Sequence, residues 1–199
     1  LHAFMIQYTS SIDRIYQYLL IGSIFLLPLT VLGNNIFIWV TVIIWLLSGN
    51  YLNKLNEIKA NKLALASISF FSLHILAMLW TENLGWGFEM TRKMLPFLFV
   101  LPIFLTISRK ENINYYMHAF LIAIAISEFF SYLVWFELIE TFGNATLGNP
   151  TTIMGHISYN PFLSFAIYLV LHQLFFAKSL SRVLRTVFTF FAITMIFNM

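Results

Sequence analysis

Long apolar stretches make up most of this chain, and its charged residues fall almost entirely in the gaps between them. That alternation leaves few folds open. A run of about 20 apolar residues crosses the hydrocarbon core of a bilayer as a helix. Only helices and closed barrels satisfy every backbone polar group there. An ordinary soluble domain is about 25% charged; here the figure is 10%, with 60% hydrophobic residues and a mean hydropathy of +0.83. The sequence therefore predicts an all-α fold, a polytopic transmembrane helical bundle forming one transmembrane domain over residues 1–199.

About seven spans are expected. The first runs from about Ile15 to Leu32, with Pro28 near its end, and Gly33, Asn34 and Asn35 then read as a tight turn. The second is Ile36 to Leu47. A polar linker, Asn50 to Asn61, carries Lys54, Glu57 and Lys59. The third span is Leu63 to Trp80, followed by a polar, amphipathic stretch from Thr81 to Lys93. The fourth is Met94 to Ile107, with kinks expected at Pro96 and Pro102. The fifth is about Tyr115 to Phe136. Glu137 to Asn160 is the longest polar segment, the sixth span is Pro161 to Phe176, and the seventh begins near Thr186.

Lys and Arg set the orientation. With a cytoplasmic N-terminus, the inside loops hold Lys54, Lys59 and Lys62, then Arg109 and Lys110, then Lys178, Arg182 and Arg185. The outside loops hold only Arg92 and Lys93, and Glu137 to Asn160 has neither Lys nor Arg. The reverse orientation would put nearly all basic residues outside. The net charge of +3 is then loop charge, not a nucleic-acid footprint, because there is no basic stripe.

Several chemistries are excluded by what the residues lack. Cys is absent, which removes disulfides, thiolate nucleophiles and Cys metal sites. No Gly-rich phosphate loop, helically spaced metal-ligand pair or Ser/His/Asp pattern is evident. No metal or other cofactor is expected. The first apolar run ends without the small-residue cleavage site of a signal peptide. Leu1 in place of Met, and an apolar run that stops at Met199, lead to the expectation that the chain is the N-terminal part of a longer protein.

The polar residues that break the pattern are the candidate sites. Arg92 and Lys93 lie on the outer side, against the positive-inside trend. One reading is snorkelling into the headgroup layer; the other is binding of a phosphate or diphosphate, which needs cations close by. Glu82 would pair with one of them or orient a sugar hydroxyl. Trp80 and Trp86 read as interfacial anchors. Glu128 lies within the fifth span, where a carboxylate is costly and faces the bundle interior; His74 and His118 are its candidate partners. His156 and Tyr159 precede the sixth span on the outer side, where they would face an outward-opening cavity, and His156 would serve a phosphate or act as a base. Asn160 before Pro161 reads as an N-cap followed by a first-turn proline. His74 and His172 read by default as buried, hydrogen-bonded histidines.

The stretch Leu79-Trp80-Thr81-Glu82-Asn83-Leu84, with Gly87-Phe88 and Arg92-Lys93 leading into Leu95-Pro96, resembles the third-to-fourth span region of the bacterial O-antigen ligase family. His156-Ile157-Ser158-Tyr159-Asn160-Pro161-Phe162 resembles the segment before a later span in the same family. The resemblance covers the chain from roughly Tyr16 onward. It implies a multi-pass protein of the bacterial inner membrane. Such a protein transfers O-antigen polysaccharide from undecaprenyl diphosphate to a lipid A-core acceptor on the periplasmic side, without a metal. It also implies that the catalytic residues lie beyond Met199, so that this portion alone is inactive, and that Arg92 and Lys93 occupy the position of a donor-diphosphate contact. An O-antigen or polysaccharide polymerase shares this architecture. A membrane transporter subunit is the main reading of another class, with Pro96, Pro102 and Glu128 as its broken helices and embedded charge.

Overall fold

The computed structural model describes residues 2–146, 151, 153–177 and 180–198, with side chains from residue 11 onward. Lys178, used above for orientation, and residues 147–150 and 152 of the long polar segment lie outside these. The described residues are helical apart from turns and loops, in ten α-helices. They are α1 His2–Leu26, α2 Val31–Leu47, α3 Tyr51–Ala60, α4 Lys62–Ala77, α5 Leu84–Lys93, α6 Leu95–Leu98, α7 Val100–Ile107, α8 Ile113–Trp135, α9 His156–Phe176 and α10 Arg182–Phe197. By length and composition α8 (with the turn before it) and α9 suffice to cross a membrane, and up to four spans result if each of two bent helix pairs counts as one. Large apolar side chains point outward on many helices, among them Trp39, Ile43 and Leu47 on α2 and Phe165, Phe175 and Phe176 on α9. Water would not tolerate so much contiguous apolar surface, and lipid does.

The chain divides into two compact units. The first comprises residues 1–20 and 36–112. One end of this unit is tied by polar contacts. Arg109 pairs with Asp13 at 2.7 Å. Gln17 donates to the Ile107 carbonyl at 2.9 Å and accepts from Asn112 at 3.0 Å. Tyr16 and Ser48 share a 2.7 Å hydrogen bond, and Lys54 donates to Ser48 at 2.7 Å. The same ammonium sits 4.6 Å from the centre of the Trp45 ring, a cation–π contact.

The two polar segments of this unit are helices. α3 puts Leu52, Leu55 and Ile58 at helical spacing, and α4 starts after one residue at 89° to it. Asn61 makes that corner: its side chain accepts from Leu63 N and Ala64 N, capping α4. Asn83 caps α5 in the same way, accepting from Trp86 N at 3.0 Å. The apolar run expected as a fourth span breaks instead of merely kinking. Pro96 and Pro102 each fall in the first turn of a short helix, α6 and α7, where a missing N–H costs nothing, and the chain passes between them at Phe99. The Phe97 carbonyl accepts from Ser67 on α4.

The second unit comprises residues 21–35 and 113–199. The expected turn at Gly33-Asn34-Asn35 is displaced. Pro28 ends α1, the chain turns over residues 27–30, and α2 already contains those three residues. Thr30 is the cap, its hydroxyl accepting from Gly33 N at 3.2 Å. A Cβ at Gly33 would fall 2.6 Å from the Thr30 methyl, so this glycine makes room for the cap. Ser23 donates to Asn34 at 2.7 Å and fastens the hairpin.

The core of this unit is a stripe on α9. Tyr159, Leu163, Ala166 and Val170 are all wholly buried. Their spacing puts them on one face. That face packs on Phe120, Leu121 and Ile124 of α8 and on Ala192 and Met195 of α10. The opposite face carries a ladder of rings, Phe165, Tyr168, His172 and Phe176, with neighbouring centroids 5.0–6.4 Å apart. His172 is thus exposed on that ladder, not buried.

Candidate functional site

The most unusual polar arrangement is in the second unit, where α8 and α10 each pack on α9. Glu128 is 4% exposed. It sits seven residues before Trp135, the end of α8, or about 10 Å along the helix axis. Ser127 and Ser131 on the same face are buried with it. No ion pair reaches Glu128 among the described residues, and its Oε1 has no hydrogen-bond partner. His118, ten residues earlier on the same helix, is exposed and about 15 Å away along the axis, too far to pair. His74 belongs to the other unit; its ring nitrogen contacts the Phe70 carbonyl of its own helix at 2.9 Å.

Tyr159 is a close neighbour of Glu128. Its hydroxyl is fully buried and lacks a hydrogen-bond partner, although the Ser127 hydroxyl and the Glu128 carboxyl are near enough to act on it electrostatically. Ser131 instead satisfies the Ser127 carbonyl at 3.1 Å. On the other side of Glu128, Thr194 of α10 faces the carboxyl, while its hydroxyl bonds the Phe191 carbonyl at 2.9 Å. Tyr132 spans from α8 to α10, donating to the Thr194 carbonyl at 2.7 Å. Buried polar groups without partners are rare and costly. Here one carboxyl oxygen of Glu128 and the hydroxyl of Tyr159 are both in that condition, side by side.

A cavity of about 610 Å³ opens beside this pair. Ala125, Glu128, Phe129, Tyr132 and Trp135 of α8, with Phe136 just after it, form one wall, and Phe190, Phe191, Thr194 and Phe197 of α10 form the other. Each wall is a single helical face. Its surface is nearly all aromatic, with Glu128 its one ionisable carboxyl.

The positions expected at a phosphate are arranged differently. Glu82, Arg92 and Lys93 lie in the first unit, and His156 and Tyr159 in the second. Arg92 and Lys93 are exposed in the last turn of α5, where cations suit the helix dipole. Lys93 pairs with Glu89 at 2.8 Å, four residues back on the same helix. Glu82 is exposed in the turn before α5. Trp80 and Trp86 flank that turn with their rings outward. His156 is the exposed first residue of α9. Tyr159, expected to face an outward-opening cavity, is instead packed in the core. The reason is that α9 starts at His156 and not at Pro161, which turns the Tyr159 ring onto the packed stripe. Asn160 is therefore not the N-cap; Gly155 occupies that position, and Pro161 lies inside the helix. Its missing N–H leaves the Ile157 carbonyl without its helical donor.

No protein-family model, curated protein or solved structure matches this chain.

Proposed function

We propose that the chain forms part of a multi-pass inner-membrane glycosyltransferase-type ligase. It would transfer O-antigen polysaccharide from undecaprenyl diphosphate to lipid A-core on the periplasmic face. The observation that carries this reading is α5. A short Asn83-capped helix bears two exposed cations in its last turn and an outward Trp86 in its first, with the outward Trp80 in the turn before it. It resembles the O-antigen ligase family at those same residues. A headgroup diphosphate at the membrane surface is a ligand suited to such a pair, because each of its oxygens accepts a charge-assisted hydrogen bond. Cations there would also stabilise the charge that develops on the departing lipid diphosphate.

Seven spans with a cytoplasmic N-terminus accompany this proposal. In support, α1, α2, α4, α6 with α7, α8, α9 and α10 are the apolar segments, while α3 and α5 are short and polar. In further support, Asp13 with Arg109 and Tyr16 with Ser48 and Lys54 gather three of the basic segments at one end of the first unit, as the positive-inside rule requires of a cytoplasmic end.

The test is transfer in a strain lacking its own ligase. The gene carrying this chain should restore the polysaccharide ladder on lipid A-core, and Arg92→Ala with Lys93→Ala should reduce it while the protein level holds. Transfer unchanged in the double variant would remove the pair from the donor site. A second reading, a membrane transporter subunit, is favoured by the buried Glu128. Solute uptake into proteoliposomes without glycan transfer would support it.

A further inference from the structure

We propose that the aromatic cavity between α8 and α10 is a binding site for a lipophilic amine, with Glu128 receiving its nitrogen. Three observations converge on this ligand. The cavity, about 610 Å³, falls in the range of sites that enclose small molecules, about 300–1,000 Å³. Its lining is aromatic along both walls: Phe129, Trp135 and Phe136 face Phe190, Phe191 and Phe197. At its side stands a buried carboxyl with an unpartnered oxygen and no cation paired to it among the described residues.

Charge decides the class of ligand. A phosphate or sulfate headgroup supplies no positive charge to offset the burial of this carboxyl. A neutral alcohol would satisfy one lone pair and gain nothing from the rings beyond apolar contact. A protonated amine answers both features. Its N–H groups donate to the carboxyl, and its charge is attracted to the faces of the surrounding rings. The apolar body of the molecule then lies along the groove. Tyr132 braces the site by bridging to the Thr194 carbonyl at 2.7 Å, and it stacks on Trp135 with centroids 5.9 Å apart. The ring of Trp135 is consequently held in the cavity wall, and it reports on whatever binds there.

The experiment uses the full chain in lipid nanodiscs and three probes of equal chain length: bromododecylamine, bromododecanol and bromododecyl sulfate. Bromine quenches tryptophan on contact, and the share of quenching lost in Trp135→Phe belongs to Trp135. The amine should quench that share at about one tenth of the membrane concentration the alcohol needs, the scale of one buried charge-assisted hydrogen bond. The sulfate should be weaker still. Glu128→Gln should abolish the preference for amine over alcohol. Ala125→Leu, which fills the cavity and leaves the carboxyl in place, should weaken the amine and protects the test if Glu128→Gln fails to fold. Equal quenching by amine and alcohol, a preference for amine that survives Glu128→Gln, or no quenching of Trp135 would each overturn the proposal.

Discussion

Replacing Tyr159 by Phe should make the protein more stable. The ring is wholly buried against α8 and α10, so Phe keeps its packing. The hydroxyl is buried without a hydrogen-bond partner, and Phe removes it. Burying a hydroxyl unpaired costs about 1–3 kcal/mol in protein substitution data. For a chain of this size each kcal/mol moves the unfolding midpoint by about 2–4 °C. A rise of about 2–12 °C is therefore expected in detergent, followed by circular dichroism. Tyr159→Ala, which deletes the ring, should instead lower stability by about 3–5 kcal/mol. Ser127→Ala is the companion measurement. If the hydroxyl were in fact bonded to Ser127, both Tyr159→Phe and Ser127→Ala would destabilise, and the double variant would lose less than their sum. A midpoint that falls in Tyr159→Phe would refute the claim that this hydroxyl stands alone.

Two further outcomes follow from the turns. Thr30→Ala should cost about 1 kcal/mol, because it removes the cap of α2; a thermal midpoint equal to that of the parent would mean that α2 starts elsewhere. Gly87 lies where a Cβ would meet the Met78 sulfur at 2.7 Å and the Thr81 methyl at 3.3 Å. Gly87→Leu should therefore cost about 1–3 kcal/mol by overpacking, and it should raise proteolysis in the turn between α4 and α5. Unaltered cleavage there would show that α5 does not press on α4.

Much of the fold is legible in the apolar runs. The spans Tyr115 to Phe136 and Pro161 to Phe176 reappear as α8 and most of α9, because a helix satisfies the backbone polar groups of so long an apolar run within itself. The errors have local causes. Gly33, Asn34 and Asn35 have turn chemistry, yet Thr30 supplies a cap three residues earlier and Pro28 has already ended α1. Asn160-Pro161 has the form of a helix start, and a proline one and a half turns inside a helix looks the same in sequence. The candidate site was only half legible. A carboxylate in an apolar run announces Glu128. Nothing local announces that Tyr159 is turned toward it, since that depends on where α9 starts. The facing stripe of Phe190, Phe191, Thr194 and Phe197 is visible only when α8 and α10 flank the same helix.

The corner at Asn61 has a consequence for depth in the bilayer. On the seven-span reading, α4 crosses the membrane with 16 residues, a rod of about 24 Å, while the hydrocarbon layer is about 30 Å thick. A helix at a right angle to its neighbour cannot lend it any length, so α3 fixes the plane from which α4 must start, with Lys54, Lys59 and Lys62 marking that plane. The shortfall is then met at the far end, by the turn through Met78, Leu79 and Trp80 or by local thinning of the bilayer. Thicker membranes would strain this protein first at Trp80, next to the helix that presents Arg92 and Lys93.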